Sequence, residues 1–282
     1  MHNLAQKSLK SDSLNQYVKA QMARLEAALD RVLPPADQNP AVLHEAMRYS
    51  VLDGGKRIRP LLAMAVCDMF GGDSEQILIP ACSIELIHSY SLIHDDLPCM
   101  DNDEWRRGQL TCHKKYGEAM ALLAGDGLLT LAFHLLGKLQ DERKGQRLTR
   151  ELAQAAGTFG MVGGQAMDLI SGSLEMNLPT LDAIHINKTG QMIRVSGMVG
   201  AIMGGANQDA ETRILKFGEY LGFAFQIVDD ILDRNGYLHF MSAHKAREKA
   251  SDLITKAKKE LSSFKMNQRL LEMADWIGNR TT

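Results

Sequence analysis

The stretch from Leu86 to Gly108 most strongly constrains what this chain can fold into. It is an apolar run that ends in two adjacent aspartates, Asp95 and Asp96, and Pro98 follows. A residue that precedes proline avoids the α region, so we expect a helix to end near Asp96. Negative charge at a helix C-terminus costs about 0.3 to 1 kcal/mol through the macrodipole. This position therefore predicts that something binds the two carboxylates.

The residues after this helix end suggest what that ligand contains. Hard divalent cations such as Mg2+ take oxygen ligands and bridge carboxylates to phosphate groups. Two arginines, Arg106 and Arg107, follow the acidic residues, and guanidinium groups bind phosphate bidentately. For this stretch alone, a solvated acidic loop before a basic helix start is an equally good explanation.

The composition favours helices and excludes several classes of partner. Of the 282 residues, 45% are hydrophobic and 23% are charged, which suits one large domain or two small ones. The alternation of Val, Ile, Thr and aromatic residues that is typical of strands is absent. A net charge of −2 gives no electrostatic basis for binding nucleic acid or an anionic membrane.

Apolar spacing predicts an all-α fold of about ten helices, and no Pro-, Ser- or Gly-rich linker divides them. We therefore expect a single domain that covers residues 1–282, with a charged turn at 141–145. The predicted helices are 13–32, 40–52, 60–70, 77–96, 116–138, 148–170, 181–204, 209–233, 243–264 and 268–277.

The cysteines and the most apolar segment predict a cytoplasmic protein without a membrane span. The four cysteines form no C-x-x-C pair, so reduced thiols are the simplest interpretation, and the first residues contain no secretory signal. The most apolar segment, 119–139, is interrupted by Asp126, His134 and three glycines. We expect it to be a buried helix of the bundle.

A second acidic cluster repeats the pattern of the first. The sequence FQIVDDILD at 225–233 carries Asp229, Asp230 and Asp233, and the first and third of these share a helix face. Like charges at that spacing cost a few tenths of a kcal/mol in an isolated helix, and lost hydration beside an apolar run raises the cost. Two such clusters predict a cavity at which metal ions bind.

Basic residues elsewhere predict the remainder of the ligand. That much positive charge, together with metal ions, implies a multiply charged anion, most simply diphosphate. The cavity walls are apolar, so a hydrocarbon tail is expected. No P-loop or G-x-G-x-x-G motif points to a nucleotide. The cations expected to flank the site are Lys56, Arg57, Arg59, Arg106, Arg107 and Lys188.

Four segments resemble, in the same order, the motifs of short-chain trans-isoprenyl diphosphate synthases, closest to the bacterial farnesyl diphosphate synthase (geranyltranstransferase) type. They are GGKRIRP at 54–60, HDDLPCMDNDEWRRG at 94–108, KTG at 188–190 and FQIVDDILD at 225–233. The resemblance implies a homodimer of helical bundles, each around a central cavity. It also implies Mg2+-dependent condensation of isopentenyl diphosphate with dimethylallyl or geranyl diphosphate.

The resemblance implies roles for the matching residues. Several Mg2+ ions would bridge the allylic diphosphate to two sets of carboxylates, Asp95, Asp96 and Asp101, and Asp229, Asp230 and Asp233. Contacts to the allylic diphosphate are expected from Arg106, Lys188, Thr189 and Gln226. Contacts to isopentenyl diphosphate are expected from Gly55, Lys56, Arg59, His88 and Arg107. The residues expected to carry catalysis are Asp95, Asp96, Asp101, Lys188, Asp229 and Asp230.

In this chemistry, metal ions and cations stabilise the departing diphosphate, and the allylic C–O bond ionises. The cation needs a dry pocket until the isopentenyl double bond attacks it and a proton is lost, most simply to the released diphosphate. The sequence contains no obvious Ser-His or Cys-His arrangement, and this chemistry requires no protein nucleophile.

Tyr90 is the residue from which product length can be predicted. It lies five residues before Asp95, which is about 7.5 Å along a helix. A tail growing along this helix would meet the ring as a floor, with the small Ser91 beside it. In similar synthases, an aromatic residue here goes with a C15 product, farnesyl diphosphate. The alternative is that Tyr90 is only a core residue.

Three other polar residues have two interpretations each. A lone histidine on an apolar helix, such as His88, is usually a satisfied core residue, whereas the resemblance favours a substrate contact. Gln165 and Asp168 lie three apart on one helix face. They either line the cavity or form an interhelical hydrogen bond.

The chain departs from the family pattern after Asp233. Similar synthases have a loop there whose lysine closes over the allylic diphosphate, but here the next predicted helix begins at residue 243. Either this chain lacks the loop, or residues of a mobile lid are missing from the sequence. We favour the second explanation, because both flanking helices look intact.

Several other functions are compatible with parts of the pattern. A synthase with a C10 or C20 product differs only in the floor of the cavity. A class I terpene cyclase shares the fold, but FQIVDDILD and GGKRIRP argue against it. A non-catalytic subunit of the same fold is suggested by the missing loop. A metal phosphohydrolase would need more histidine ligands than His88, His94 and His113 provide.

Overall fold

A computed structural model of the chain describes residues 2–171 and 176–280, with side chains from residue 14 onwards. These residues form thirteen α-helices and one short hairpin, so the predicted all-α fold is confirmed. The helices are α1 (His2–Val32), α2 (Ala41–Leu52), α3 (Ile58–Met69), α4 (Leu78–Asp95), α5 (Cys112–Tyr116), α6 (Glu118–Gly137), α7 (Glu142–Ala156), α8 (Met161–Ser171), α9 (Leu178–His185), α10 (Gln191–Gly204), α11 (Gln208–Asp233), α12 (Ala243–Glu260) and α13 (Gln268–Gly278).

The prediction differs from the structure most clearly between residues 141 and 171. The expected charged turn is helical, because the carboxylate of Asp141 accepts a hydrogen bond from the Lys144 backbone N–H (3.0 Å) at the start of α7. The single helix predicted for 148–170 is two helices. A turn closed by the Gly160 N–H on the Gly157 carbonyl (3.0 Å) separates α7 from α8.

The helix predicted for 181–204 contains a wider turn. Residues Ile186–Gly190 form a π-helical turn between α9 and α10. The segment begins at Asn177, whose side chain accepts from the Thr180 backbone N–H (3.0 Å) and so caps α9. Single π turns are often found at functional positions, and this one carries Lys188 and Thr189.

The described residues contain one hairpin, which no sequence pattern predicted. Its strands are β1 (Trp105–Arg106) and β2 (Gln109–Leu110), paired antiparallel with Trp105 opposite Leu110. The two turn residues, Arg107 and Gly108, both have positive φ (52° and 80°). That geometry is the one a two-residue hairpin turn prefers, and it separates the side chains of Arg106 and Arg107.

The chain divides into two compact units. We call Lys19–Leu61 with Leu78–Thr149 the α4 unit, and Met1–Val18, Leu62–Ile77 and Arg150–Thr282 the α11 unit. In the α4 unit, α4 packs against α2 and α6, and twelve of its eighteen residues are buried. In the α11 unit, α11 packs against α10, α12 and α13. Each unit thus has its own central apolar helix.

The helix α6 corresponds to the most apolar segment of the sequence. It packs against α4, with Ala124, Leu128 and Ala132 fully buried, while Leu122 and Leu123 are about half exposed (47% and 46%). Among the described residues it is the one helix whose length and composition would suit a membrane span. Its packing against α4 agrees with the expectation of a helix within the bundle.

Candidate diphosphate and metal site

The first acidic cluster (Asp95, Asp96 and Asp101) lies at the end of α4, as predicted. The helix ends at Asp95, and the Asp101 backbone N–H donates to the Asp95 carbonyl oxygen (2.8 Å), so the loop folds back onto the helix end. Asp96 is buried and Asp101 is exposed. The cluster therefore runs from the protein interior to its surface.

Arg106 holds the buried carboxylate of this cluster. Its Nε donates to Oδ1 (2.8 Å) and Oδ2 (3.0 Å) of Asp96, and its Nη2 donates to Oδ1 (2.6 Å). Burial raises the pKa of Asp96, and the hydrogen bonds from Arg106 limit that rise. The hairpin supplies this contact by carrying Arg106 on β1. In this structure Arg106 therefore pairs with the predicted metal ligand itself.

Arg107 points to a different place, the loop before α3. Its Nη1 donates to Asp53 Oδ1 (2.7 Å) and to the Gly54 carbonyl oxygen (2.6 Å). Gly55 has a φ of +120°, and a Cβ there would lie 2.7 Å from Arg107 Cζ. Glycine adopts this φ readily, and a side chain here would also displace the Arg107 guanidinium. Two residues predicted to hold isopentenyl diphosphate, Gly55 and Arg107, are thus in contact within the α4 unit.

His88 and Arg59 extend the same group. Arg59 Nη1 lies 3.3 Å from His88 Nε2. Burial, followed by the charge of Arg59, lowers the pKa of His88 well below its usual value. The ring is therefore neutral, with Nε2 able to accept the hydrogen bond. Lys56 is exposed beside them, so all five residues predicted for isopentenyl diphosphate lie in one unit.

One expected cation of the site points away from it. The side chain of Arg57 has no exposed surface and is paired with Glu26 and Glu85. The expectation that Arg57 flanks the diphosphate is therefore wrong. The sequence gives no sign of this, because its acidic partners are 31 and 28 residues away.

Tyr90 is buried on α4, where its ring makes an edge contact with the ring of His94 (centroids 5.7 Å apart). Burial, followed by the charge of Asp95, raises its pKa to about 12, so the phenol stays protonated. Ser91 donates to the His88 carbonyl oxygen (2.9 Å) within the helix. A buried tyrosine five residues before Asp95 is compatible with both the floor and the core interpretations.

The second acidic cluster (Asp229, Asp230 and Asp233) lies at the end of α11. Asp230 is buried and accepts a hydrogen bond from the Tyr237 backbone N–H (2.9 Å). Gly236 has a φ of +53°, and a Cβ there would overlap the Asp230 carboxylate. Burial, followed by the charges of Asp229 and Asp233, raises the pKa of Asp230 to about 7, although a hydrogen bond from Gln226 opposes the rise.

Asp229 is paired with an arginine from the far end of the described chain. Arg280 Nη2 donates to Asp229 Oδ1 (2.5 Å), and the guanidinium lies 4.1 Å from the centroid of the Phe225 ring. The sequence interpretation missed Arg280, since nothing local to it marks a site. Asp233 is exposed at the helix end.

A buried network supports the turn that follows α11. Tyr237 is fully buried, and its hydroxyl donates to Asp182 and accepts from Lys249 Nζ (3.0 Å). His185 Nε2 lies 3.6 Å from Asp230 Oδ2, and burial lowers the pKa of His185 to about 4. None of Asp182, Lys249 and Tyr237 was predicted.

The π turn brings Lys188 to α8. Lys188 Nζ donates to Asp168 Oδ2 (2.8 Å), so Asp168 forms an ion pair with the π turn, which is compatible with both predicted roles. The side-chain oxygen of Gln165 is buried and has no hydrogen-bond partner among the described residues. Thr189, next to Lys188, is half-buried.

The connection that follows Asp233 is short, and the expectation that lid residues are missing there stays a prediction. The chain runs without a break from Asp233 through a 3-10 turn (Gly236–His239) to Ala243. Its connection between α11 and α12 is a short turn held by the buried Tyr237. The described residues between Asp233 and Ala243 therefore form a compact turn.

The carboxylates of the second cluster have the right chemistry for a hard divalent cation. The raised pKa of Asp230 arises in part from two neighbouring carboxylates, and a bound cation would relieve that repulsion. Within 2–171 and 176–280, no three histidine, cysteine or acidic side chains are assembled as a ready metal site. Asp96 and Asp229 are instead paired with arginines.

The helical fold and two acidic clusters, each at the end of an apolar helix, define a short-chain trans-isoprenyl diphosphate synthase, as the motifs predicted. Such proteins are prenyltransferases. A family model described as polyprenyl synthetase matches residues 40–258, and the chain belongs to that family.

Individual relatives differ in the product that their names give. A farnesyl diphosphate synthase of Geobacillus stearothermophilus is 49% identical, over 79% of this chain and 76% of that protein. A heterodimeric geranylgeranyl pyrophosphate synthase large subunit 1 of Arabidopsis thaliana is 40% identical, over 99% and 82%. The crystal structure of an FPP/GFPP synthase from Zymomonas mobilis superimposes with a TM-score of 0.89 at 38% identity, covering 96% and 99%.

Proposed function

We propose that this prenyltransferase condenses isopentenyl diphosphate with dimethylallyl or geranyl diphosphate to give farnesyl diphosphate (C15). The observation that carries the proposal is Tyr90, buried on α4 five residues before Asp95. At 1.5 Å per residue, the ring lies about 7.5 Å along the helix from the first acidic cluster. The similarity to a farnesyl diphosphate synthase over 79% of the chain supports it.

We further propose that the α4 unit holds isopentenyl diphosphate. Arg107, Arg59 and the exposed Lys56 offer guanidinium and ammonium groups around the close approach at Gly55. His88 is neutral, which allows its ring to orient Arg59 by accepting a hydrogen bond without adding charge. Binding and orientation of the attacking double bond would follow from this group.

The two acidic clusters would hold Mg2+, and bound Mg2+ supplies positive charge that stabilises a departing diphosphate. The carboxylates proposed as ligands are Asp95, Asp96, Asp101, Asp229, Asp230 and Asp233. The side chains proposed to contact the allylic diphosphate are Arg106, Lys188, Thr189 and Gln226. Arg106 and Lys188 would leave their present partners, Asp96 and Asp168, in whole or in part to do so. The proton lost after the attack would go to the released diphosphate.

The assembly and compartment are proposed on separate grounds. The half-exposed Leu122 and Leu123 on α6 give an apolar surface, and the family resemblance implies a homodimer. The four cysteines are free, which fits the reducing conditions of the cytoplasm. Light scattering tests the proposed homodimer, and a monomer at micromolar concentration would contradict it.

The central experiment is product analysis. The purified chain is incubated with Mg2+, isopentenyl diphosphate and geranyl diphosphate, and the products are identified by chromatography and mass spectrometry. Farnesyl diphosphate as the main product supports the proposal. A C20 main product would contradict the proposed length, and no elongated product would contradict the activity.

Substitution of Tyr90 tests the floor directly. Tyr90→Ala should shift the product to C20 or longer, because the tail can grow past the missing ring. Tyr116→Ala is the matched control, since Tyr116 is a tyrosine of the same unit that lies on α5 and packs edge-on against Tyr49. An unchanged C15 product from a folded Tyr90→Ala protein would refute the floor role.

A second candidate function is favoured by one observation. The short turn between α11 and α12 leaves no lid lysine, so a non-catalytic subunit of the same fold is the runner-up. Such a protein would bind isopentenyl or geranyl diphosphate in calorimetry without forming an elongated product. Product formation by the chain alone excludes it.

A further inference from the structure

Arg57 differs from the other cations of its motif. It lies in the sequence GGKRIRP between Lys56, which is exposed, and Arg59, which is half-buried beside His88. Its own side chain is fully buried. An arginine is costly to bury, so its position needs a reason beyond general packing.

The Arg57 guanidinium joins three elements of the α4 unit. Its Nε donates to Glu26 of α1 (2.8 Å), and its Nη1 donates to Glu85 of α4 (2.7 Å). Its Nη2 donates to the carbonyl oxygen of Val51 in α2 (2.5 Å). Burial lowers the pKa of Arg57, but the charges of Glu85 and Glu26 outweigh it and raise the pKa above its usual value. The group is charged, and each of its three nitrogens donates a hydrogen bond.

The backbone at Arg57 requires such an anchor. Its φ is +47°, in the left-handed region, and Gly54 and Gly55 before it also have positive φ (89° and 120°). A non-glycine residue in this region is strained and persists where its surroundings hold it. Three of the four residues from Gly54 to Arg57 therefore have positive φ, and the last of them carries a side chain that is bonded to three elements of the core.

This anchor sets the direction of the functional side chains on either side of it. With Arg57 directed inward, Lys56 is directed to the surface, and α3 begins at the next residue, Ile58. Arg59 then lies in the first turn of α3, at His88. The carbonyl of Gly54 and the Cα of Gly55 meet Arg107. Four groups proposed for isopentenyl diphosphate thus depend on the path of one loop.

We propose that Arg57 is a positioning residue for isopentenyl diphosphate, acting through its ion pairs with Glu26 and Glu85 rather than by touching the substrate. The inference rests on the function proposed above for this loop. Lysine cannot replace it, because an ammonium group cannot reach both carboxylates and the Val51 carbonyl at once.

Arg57→Lys and Glu85→Gln test the proposal, with steady-state kinetics for each substrate varied separately. We expect the KM for isopentenyl diphosphate to rise by about tenfold to a hundredfold, the scale of a misplaced binding group, with the KM for geranyl diphosphate unchanged. Glu85→Gln keeps the arginine and removes one of its ion pairs. If it too raises the KM for isopentenyl diphosphate and leaves the KM for geranyl diphosphate unchanged, the effect arises from positioning. Circular dichroism and thermal unfolding confirm that each variant is folded.

Arg48→Lys is the matched control. Arg48 also ties α2 to α1, through Asp30 and the carbonyl oxygens of Leu33 and Pro34, but lies outside the loop. The Arg48→Lys variant should have a lower melting temperature than wild type and an unchanged ratio of the two KM values. If Arg57→Lys changes both KM values equally, as a general loss of structure would, or changes neither, the positioning role is refuted.

Calorimetry with isopentenyl diphosphate separates failure of this inference from failure of the proposed function. A wild-type chain that binds isopentenyl diphosphate but makes no product contradicts the catalytic function and leaves the positioning role testable by binding. In that case Arg57→Lys should weaken isopentenyl diphosphate binding by the same factor, and Arg48→Lys should not. Equal affinity for wild type and Arg57→Lys overturns the inference.

Discussion

In the first acidic cluster, Asp96 is paired with Arg106, ten residues further along the chain; in the second, Asp229 is paired with Arg280, 51 residues away. The buried carboxylates also differ. Asp96 receives three hydrogen bonds from one guanidinium, whereas Asp230 receives a backbone N–H and has a pKa of about 7. The buried carboxylate of the first cluster is paired with an arginine of its own hairpin, whereas the buried carboxylate of the second cluster retains a repulsion that a cation would relieve.

Removal of Arg106, which pairs with Asp96 in the first cluster, should have the largest effect of these substitutions, and the effect should be on activity. Arg106→Ala removes both a proposed diphosphate contact and the partner of the buried Asp96. We expect kcat/KM to fall by about 10²- to 10³-fold, the range for losing one preorganised charge-stabilising donor. Arg150→Ala, which breaks an exposed pair with Glu151, is the control and should leave the kinetics unchanged. A fall of less than threefold for Arg106→Ala would contradict its role.

The second cluster should show itself in the pH dependence of stability. Without divalent metal, burial and the neighbouring carboxylates raise the pKa of folded Asp230 to about 7, so it keeps its proton up to that pH, whereas the unfolded chain loses it near the ordinary aspartate pKa of 3.8. The contribution of Asp230 to the unfolding free energy should therefore fall as pH rises from about 4 to 7, by about 2 to 4 kcal/mol. The lowered pKa of His185, about 4, acts in the opposite direction over the same range, so the contribution of Asp230 is taken as the difference between wild type and Asp230→Asn. Urea titrations across this range measure it.

Two substitutions separate the clusters in the same assay. At pH 7 and without metal, Asp230→Asn should raise the unfolding free energy and remove the part of its pH dependence that Asp230 contributes. Asp96→Asn should lower the unfolding free energy, because Arg106 loses its partner. Added Mg2+ should raise the unfolding free energy of the wild-type protein at pH 7. It should have little effect on the unfolding free energy of Asp230→Asn. A wild-type slope that Asp230→Asn leaves unchanged would show that another group titrates.

The turn after α11 should contribute a smaller amount. Tyr237→Phe removes the hydroxyl that bonds to Asp182 and Lys249 and leaves the backbone N–H on Asp230. We expect a loss of about 1 to 2 kcal/mol in unfolding free energy, with the pH slope preserved. Loss of the slope in this variant would mean that the hydroxyl network, not the turn, sets the environment of Asp230.

The smallest effect concerns metal affinity. Arg280 competes with any cation for Asp229, so Arg280→Ala should tighten Mg2+ binding by about fivefold, the worth of one partly exposed ion pair. Arg280→Lys keeps the charge and should bind as wild type does. Calorimetric titration measures both. Weaker binding by Arg280→Ala would mean that the arginine orients Asp229 instead of competing for it.

The same contrast explains how much could be predicted from the sequence. The first cluster, its helix end and the all-α class follow from local rules: apolar spacing, the proline after Leu97 and the charge at a helix terminus. Arg280, Tyr237 and Lys249 could not be found this way, because their partners lie 51, 55 and 67 residues away. Arg57 was assigned wrongly for the same reason, since only the fold reveals Glu26 and Glu85.

The fully buried Tyr237 has a consequence for how the region after α11 responds to proteases. A lid that opens and closes exposes extended backbone to cleavage and is protected when ligand binds. Here, any opening of the connection between α11 and α12 must draw a large aromatic side chain out of the core, together with its bonds to Asp182 and Lys249. Cleavage at this connection should therefore require the unfolding of the α11 unit, and ligand should protect it only as far as ligand stabilises that unit as a whole.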